Sequence, residues 1–373
     1  MTRQQRSGRS KRFWYPAVVA IALAMVTVAL AACGSSNTPS SGSSSPAAGS
    51  GGASFVGSGS TFAQPLYTAW AQTYQGVAGV KLNYQGVGSS TGIANIEAKT
   101  VQFGATDAPL TESDLQTNGL VQFPTAVGGT VVIVNLSGVA NDALTLNGAT
   151  LADIYLGKIT KWNDAAIKAL NPRVNLPSTP IHVVHRSDGS GTSWIFTSYL
   201  SAVSPTWKSQ IGANTTPSWP AGAGAAKSAG VAALVNQLQG SLGYVEYSYA
   251  KQNDIATAKL VNADGKTLAP TLAGFAAAAK NATWDPSQGF AQALVNEPGA
   301  TAWPITGATY ALVQKDQPSA ATGKMILKFF DWGYKSGAAQ AQSLDYVPIP
   351  ASVYTMAEQQ WSQITAGGSP VWP

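Results

Sequence analysis

Three short segments rich in glycine, serine and threonine carry residue types that bind anions. They are residues 57–62 (GSGSTF), 86–92 (GVGSSTG) and 186–193 (RSDGSGTS). Each lies between a short apolar run and an amphipathic stretch, which predicts a strand, a turn and then a helix. Glycine lets a ligand approach the backbone, and the first amides of a helix have no partner within it. Hydroxyls beside such amides can bind an oxyanion.

The alternative is that the serine and threonine side chains of these turns only cap the helices that follow. A single turn of this kind carries little information for that reason. Three in one chain, one of which contains Arg186 at the end of a predicted strand, favour an oxyanion site.

Other kinds of site have less support. The P-loop pattern is absent, and residue 91 is threonine where a G-x-G-x-x-G motif that begins at Gly86 needs glycine. His182 and His185 fall on opposite faces of one predicted strand and lack the spacing of metal ligands. A packed or solvent-facing strand histidine is favoured over a catalytic serine–histidine pair. The sequence therefore predicts no metal, no cofactor and no enzymatic activity.

The net charge of +5 has its origin at the N-terminus. Five of the 22 basic residues lie within positions 3–12, which leaves 17 basic and 17 acidic residues in the rest of the chain. Beyond residue 13 the arginines are Arg173 and Arg186. A protein that binds a nucleic-acid duplex needs a stripe of basic residues to displace counterions. Nucleic acid is therefore excluded as a partner.

Residues 1–33 are predicted to be a lipoprotein signal peptide. The basic segment precedes an apolar run at 17–32, which is short for a membrane span of about 20 residues. The run ends in LAAC (30–33), which resembles a bacterial lipobox, so Cys33, the one cysteine of the chain, is the predicted lipidation site. Plain secretion is the alternative. We expect a cell-membrane location, with the protein lipid-anchored on the extracytoplasmic face.

Residues 34–53 are predicted to be a flexible tether. They contain glycine, serine, proline and small residues, without a charge, an aromatic ring or a large aliphatic side chain. Such a segment buries too little surface to offset its ordering entropy, and its reach is about 25 Å. The layout predicts a folded body held close to a membrane.

The body from residue 54 onward alternates predicted strands and helices, which indicates an α/β fold. The aromatic and aliphatic residues Phe62, Leu66, Trp70 and Tyr74 are four apart and predict one buried helix face, with the helix starting just before Pro65. Predicted strands lie at 81–84, 101–105, 131–134, 181–184 and 309–313. Further predicted helices lie at 93–99, 149–156, 164–170, 192–201, 231–238 and 323–334. The continuous apolar run at 131–134 is typical of a parallel-sheet strand.

Six segments together are distinctive: GSGSTFAQPLYTAW (57–70), YQGVGSSTGIANIEAKTVQFGATDAPL (84–110), ADIYLGKITKWNDAAIKALNP (152–172), HRSDGSGTSWIFTSYLS (185–201), AWPITGATYALV (302–313) and KFFDWGYKSGA (328–338). In these segments the chain resembles the substrate-binding subunit of bacterial high-affinity phosphate ABC transporters, a class II periplasmic-type binding protein. The resemblance covers nearly all of the chain after residue 55.

The resemblance implies a set of site residues. Those expected to bind phosphate are Thr61, Phe62, Ser89, Asp107, Arg186, Ser190, Gly191 and Thr192. Asp188 is expected to orient Arg186, and Ser60 stands where relatives often carry alanine and adds a hydroxyl. Asp107 fits a protonated anion, because a carboxylate can accept a hydrogen bond from phosphate but meets only repulsion from sulfate, which has no proton to give. From spacing alone, Asp107 is instead a turn residue or helix cap.

The resemblance also implies an architecture. It is a two-lobed fold with a two-strand hinge and the ligand cleft between the lobes. Lobe 1 is discontinuous, 54–127 and 300–373, and lobe 2 is 128–299, with crossings near Gly128 and Gly299. Lobe 1 supplies Thr61, Phe62, Ser89 and Asp107, and lobe 2 supplies 186–192.

The expected function is extracytoplasmic binding of inorganic phosphate and its delivery to permease subunits that a cytoplasmic ATPase powers. The chain is expected to act as a monomer. Alternatives are a binding protein for another oxyanion (sulfate or molybdate), a phosphatase-type enzyme, which needs a metal cluster or an activated nucleophile, and a cell-wall interaction or adhesion protein, which needs no convergent anion turns.

Overall fold

The computed structural model describes residues 52–373. The predicted signal peptide at 1–33, with Cys33, and nearly all of the predicted tether at 34–53 lie outside the described residues. Within the described part, no helix has both the length and the apolar character needed to cross a membrane.

Strands and helices alternate along the described chain, as predicted. The strands are β1 (Ser54–Gly59), β2 (Lys81–Gly86), β3 (Phe103–Thr106), β4 (Leu120–Asn135), β5 (Thr145–Leu146), β6 (His182–Arg186), β7 (Ala223–Ala225), β8 (Ser241–Glu246), β9 (Lys259–Val261), β10 (Thr267–Leu268), β11 (Leu294–Val295), β12 (Ile305–Gln314), β13 (Val347–Pro348), β14 (Thr365–Ala366) and β15 (Ser369–Pro370). The helices are α1 (Gln64–Ala78), α2 (Ser89–Glu97), α3 (Glu112–Thr117), α4 (Gly148–Tyr155), α5 (Ala165–Leu170), α6 (Gly191–Val203), α7 (Pro205–Gln210), α8 (Lys227–Gln237), α9 (Tyr247–Gln252), α10 (Leu272–Ala279), α11 (Ala320–Ser336), α12 (Ala338–Ser343) and α13 (Ala351–Gln360).

The main sheet has the strand order β2-β1-β3-β12-β4-β8-β6-β7, with β11 beside β12 and β13 beside β4. β1 runs parallel to β2 and β3, and β6 runs parallel to β7 and β8. The carboxyl ends of parallel strands meet at one edge of a sheet, where α/β proteins bind their ligands. The segments that follow β1, β2 and β3 therefore lie side by side, and Arg186 lies at the carboxyl end of β6.

β4 joins these two groups of parallel strands. Residues 120–129 pair with β12 and residues 130–135 pair with β8, and both ladders are antiparallel. The predicted parallel orientation of the run 131–134 is therefore wrong. The run is nevertheless fully buried, because β4 is central in the sheet and helices α6, α8 and α10 pack against it. Central position, not strand direction, explains the continuous apolar pattern.

The predicted apolar face of α1 is confirmed for three of its four residues, whereas Phe62 lies before the helix begins. Leu66, Trp70 and Tyr74 are buried, and the helix begins at Gln64 with Pro65 in its first turn. Tyr67 joins them and contacts the ring of Phe103 edge-on, with 5.9 Å between ring centroids. Each large apolar side chain buried in this way contributes about 1.5–3 kcal/mol. The helix is thereby fixed against the sheet, directly after the first anion turn.

The helix predicted at 93–99 is shifted toward the N-terminus. It begins at Ser89, directly after Gly88, whose φ of 95° is favourable for glycine. It ends at Glu97, and Lys99 has a left-handed φ of 57°. The second glycine-serine turn is therefore shorter than predicted, and its hydroxyl residues belong to the first turn of α2.

The division into two lobes stays a prediction. β4 passes through the first predicted boundary, at Val127–Gly128, as a continuous strand. β12 begins just after the second, at residues 299–300. β4 and the segment that leads into β12 therefore connect the predicted halves.

Candidate functional site

The three predicted anion turns converge on one buried site. Asp107, one residue beyond β3, accepts hydrogen bonds from Ser60 Oγ at 2.5 Å and from Ser89 Oγ at 3.3 Å. The amide of Ser90 donates to the Gly189 backbone oxygen at 3.2 Å, so the second and third turns touch. Residues more than 80 positions apart in the sequence therefore share one cleft.

Asp107 is a buried carboxyl, 1% exposed. Burial raises its pKa to about 6, although hydrogen bonds from Ser60 and other hydroxyls and the Arg186 charge lower it in part. The additional hydroxyl at Ser60 thus contacts the carboxylate directly. It also accepts a hydrogen bond from the Ala63 amide at 3.0 Å, which fixes its orientation.

Arg186 is the buried cation of the site, 3% exposed. Asp188 holds its guanidinium through two parallel hydrogen bonds, from Nε at 2.7 Å and from Nη2 at 2.5 Å. Burial alone lowers the pKa of Arg186, but the hydrogen bonds and the charge of Asp188 outweigh burial and raise it. Asp188 shows the reciprocal effect: burial alone raises its pKa, and Arg186 lowers it overall. The guanidinium is therefore charged and held in one orientation.

The free side of the guanidinium faces hydroxyl groups. Arg186 Nη1 donates to Thr61 Oγ1 at 3.1 Å and to Ser228 Oγ at 3.2 Å, and these two hydroxyls are 2.8 Å apart. Phe62 follows Thr61 and is fully buried, with its ring edge-on to Tyr346 at 5.9 Å. The packing of that ring holds the backbone of the first turn beside Arg186.

The N-terminus of α6 forms the remaining side of the site. Ser190 caps the helix by accepting a hydrogen bond from the Ser193 amide at 3.1 Å. Gly191 begins the helix and lies against Asp107 and Ser89. The hydroxyl of Thr192 is buried and has no hydrogen-bond partner among the described residues. The first turn of α6 therefore presents amides and a free hydroxyl to the cleft.

The alternative interpretation, in which the hydroxyls of these turns only cap helices, does not hold at the other two turns. The N-cap residues of α1 and α2 are Ala63 and Gly88, and neither makes a side-chain cap hydrogen bond. The hydroxyls of Ser60 and Ser89 instead donate hydrogen bonds to the Asp107 carboxylate. A side chain at Gly88 has no room, because a Cβ there lies 2.7 Å from Asp188 Oδ2.

All ten predicted binding and supporting residues thus lie in or next to one cleft, and sequence reasoning missed two more. Ser228, in the first turn of α8, contacts both Thr61 and Arg186. Glu246, at the end of β8, is 1% exposed. The sequence held a signal for Glu246: a glutamate ends a strand that is otherwise fully buried, where an isolated charge is unfavourable.

The histidines take no part in this site. The His185 ring stacks on Trp219 at 4.9 Å and its Nδ1 is 3.0 Å from the Arg186 backbone oxygen. Burial lowers the pKa of His185. Residues 88–92 (GSSTG) match the G-x-S-x-G pattern of hydrolases, yet no hydrogen bond joins Ser90 to either histidine in the described chain. Residues 52–373 also contain no group of three or more histidine, cysteine or acidic side chains placed to hold a metal.

The arrangement combines several kinds of anion donor with one acceptor. The donors are an oriented guanidinium, hydroxyl groups from both sides and the amides of a helix N-terminus, and the acceptor is the Asp107 carboxylate. Such a set suits a small oxyanion that still carries a proton. The fold and this cleft define a periplasmic-type binding protein of class II.

Comparisons with known proteins agree with this class. The model of the PBP superfamily domain matches residues 43–335. The chain is 46% identical over 306 residues to the phosphate-binding protein PstS of Xylella fastidiosa strain 9a5c, covering 82% of this chain and 84% of that protein. It is 46% identical over 308 residues to PstS of Haemophilus influenzae, covering 83% and 92%. The chain belongs to the PBP superfamily and, within it, to the family of the phosphate-binding proteins PstS.

Solved structures confirm the predicted fold class. The high-affinity periplasmic phosphate-binding protein PfluDING, solved with bound phosphate, superposes with a TM-score of 0.68 at 22% identity, covering 85% of this chain and 96% of that one. A phosphate-binding protein from Stenotrophomonas maltophilia superposes with a TM-score of 0.60 at 19% identity, covering 85% and 96%.

Proposed function

We propose that this protein binds inorganic phosphate in the cleft around Arg186 and Asp107 and delivers it to an ABC transporter permease for import. The observation that carries the proposal is the pairing, in one buried cleft, of an arginine oriented by Asp188 with a carboxylate held by Ser60 and Ser89. The relatives at 46% identity are named phosphate-binding proteins PstS, which supports the same ligand.

Each predicted residue has a role in this scheme. Arg186 donates two hydrogen bonds to phosphate oxygens, and Asp188 fixes the plane of its guanidinium. Ser190, Gly191 and Thr192 contribute amides and hydroxyls at the start of α6, where the helix dipole favours an anion. Thr61, Phe62 and Ser89 contribute donors from the opposite side of the cleft. No covalent step is needed, so the chain acts as a binding protein and not as an enzyme.

Asp107 selects phosphate over sulfate in this scheme. Its carboxylate accepts a hydrogen bond from a protonated phosphate oxygen, while Ser60 and Ser89 hold it in place. A fully deprotonated anion of the same shape offers no proton and meets a buried negative charge. Sulfate or molybdate is the second candidate ligand on the grounds of shape and charge, and the Asp107 carboxylate disfavours both.

Transport requires a change between an open and a closed cleft. We propose that residues 54–127 with 300–373 form lobe 1, that residues 128–299 form lobe 2, and that β4 and β12 carry the hinge. Phosphate stabilises the closed form because it contacts both lobes at once. The closed protein then docks on permease subunits powered by a cytoplasmic ATPase, while a lipid on Cys33 keeps it at the outer face of the membrane.

Calorimetric titration of the purified body, residues 52–373, tests the ligand. Phosphate binds with high affinity at pH 7, and sulfate at the same ionic strength binds at least a hundredfold more weakly. Equal affinity for the two anions contradicts the role of Asp107. Absence of phosphate binding contradicts the proposed function itself.

A further inference from the structure

Glu246 is a buried carboxyl group that the proposed binding scheme leaves without a role. It is the last residue of β8 and is 1% exposed, and neither carboxyl oxygen has a hydrogen-bond partner within residues 52–373. A buried carboxylate without partners is strongly unfavourable, whereas the protonated acid costs far less. The position therefore favours an uncharged side chain.

The strand register places Glu246 beside the anion cleft. Tyr244, two residues earlier, has its side chain on the same face of β8, and its hydroxyl accepts a hydrogen bond from the Arg186 amide at 3.2 Å. Thr130 pairs with Glu246 across the β4–β8 ladder, so their side chains lie on one face. The Thr130 hydroxyl also lacks a partner in the described chain. The two carboxyl oxygens of Glu246 and the Thr130 hydroxyl are thus unpartnered on one face of the β4–β8 ladder, and Glu246 is close enough to Arg186 to respond to its charge.

The elements around Glu246 supply several titratable and charged groups: Arg186 at the end of β6, Asp107 after β3, Tyr249 on α9 and Tyr346 before β13. Burial raises the pKa of Glu246 to about 8, and the negative charge of Asp107 adds to the rise, while the positive charge of Arg186 lowers it in part. Both tyrosines stay neutral in this range, because burial raises each pKa further.

We propose that Glu246 is a further residue of the anion site and is protonated when the anion is bound, so that in alkaline solution the site takes up a solvent proton with its ligand. The inference rests on the proposed function. Once Glu246 has ionised, binding consumes one proton from solvent, which converts the carboxylate to the acid. If the proton were absent, a second negative charge would lie beside the anion and would compete for Arg186. Affinity for phosphate therefore falls as the pH rises above about 8.

Phosphate titrations at pH 7 and pH 9 test this proposal on the wild type, on Glu246→Gln and on the control Glu97→Gln, an exposed glutamate on α2. The protonation of phosphate and of Asp107 affects all three proteins equally. From pH 7 to pH 9 the phosphate affinity of the wild type and of the control is expected to fall. This fall is about tenfold larger than the fall for Glu246→Gln. Identical pH profiles for wild type and Glu246→Gln overturn the proposal. A wild type that binds no phosphate at pH 7 overturns the proposed function instead.

Thermal unfolding without phosphate is an independent readout. The pKa of Glu246 in the folded protein, about 8, lies above the ordinary glutamate value of 4.5, so between these pH values the folded protein keeps a proton that the unfolded chain releases. The stability of the wild type relative to Glu246→Gln therefore falls as the pH rises from 5 to 8 and is constant above that. A stability difference that does not change with pH shows that Glu246 is ionised in the folded protein and overturns the proposal.

Discussion

Gly191 and Asp107 are in such close contact that no side chain fits between them. A Cβ atom at Gly191 lies 2.6 Å from both Cβ and Oδ2 of Asp107. The same atom lies 2.6 Å from Ser89 Oγ. The first turn of α6 and the carboxylate after β3 therefore face the same small volume, and any group at position 191 separates the acceptor of the site from the helix amides.

Gly191→Ala is expected to weaken phosphate binding by at least tenfold, because the methyl group forces Asp107 and the start of α6 apart. Calorimetric titration measures the loss. Gly76→Ala is the matched control: no atom lies within 4 Å of its Cβ position in α1, and it adds about 0.5–1 kcal/mol of helix stability. If Gly191→Ala binds phosphate as tightly as the wild type does, the phosphate site does not lie between Gly191 and Asp107.

Arg186→Ala is expected to reduce phosphate affinity by tens to thousands of fold. Removal of one partner of a buried charged pair costs about 2–5 kcal/mol, and the loss also leaves Asp188 without its partner. Arg186→Lys restores the charge but only part of the affinity, because an ammonium cannot make two parallel hydrogen bonds. Arg173→Ala, at an exposed position, keeps wild-type affinity. If Arg186→Ala binds phosphate with near-normal affinity, Arg186 does not contact the ligand and only pairs with Asp188.

Asp107→Asn is expected to collapse the preference for phosphate over sulfate, mainly through tighter sulfate binding. The amide removes the negative charge and can donate to a sulfate oxygen, while phosphate affinity changes by about tenfold at most in either direction. Titrations with both anions at fixed ionic strength measure the ratio. The exposed control Asp254→Asn leaves it unchanged. If Asp107→Asn rejects sulfate as the wild type does, selectivity lies elsewhere.

The pH dependence of sulfate binding gives a second prediction for Asp107. Its pKa of about 6 means that the carboxyl is ionised at pH 7 and protonated at pH 5. The protonated form carries no charge and donates a hydrogen bond, so the wild type binds sulfate up to about tenfold more tightly at pH 5 than at pH 7. Asp107→Asn lacks this dependence. A flat sulfate profile in the wild type contradicts the assignment.

Cys33→Ala is expected to release the protein from the membrane or to stall its export. The residue lies outside the described part of the chain, and the prediction rests on the LAAC sequence and the tether after it. Fractionation of cells that express the wild type and the variant measures attachment. Unchanged attachment of the variant shows that the anchor is not a lipid on Cys33.

The α/β class and the positions of the anion turns could be predicted from local signals in the sequence, whereas the two-lobed fold and the individual site residues were predicted from the resemblance. The helix face of α1 follows from the spacing of Leu66, Trp70 and Tyr74, and the three anion turns follow from their composition. Arg186 and Asp188 are two positions apart at the end of one strand, so their contact was also predictable. The resemblance then linked turns that lie far apart in the chain.

Three features could not be predicted, because each depends on non-local packing. The direction of β4 relative to its neighbours is set by β8 and β12, not by its own apolar run. Ser60 and Ser89 do not occupy the N-cap positions of α1 and α2, and both donate hydrogen bonds to Asp107, which follows another strand. Ser228 lies beside Arg186 because of the position of α8, and Glu246 lies near it because of the register of β8. The glutamate in a buried strand is visible in the sequence, but its neighbours are not.

The ladder between β4 and β12 also bears on how the chain folds. Thr125 on β4 and the Thr309 backbone oxygen on β12, which it contacts, are 184 residues apart in the sequence. A chain that emerges from its N-terminus cannot complete the centre of its sheet until nearly all of it is available, and such long-range pairing slows folding. In the proposed export, this delay is useful, because a segment that stays unfolded until β12 appears can still be threaded through a membrane.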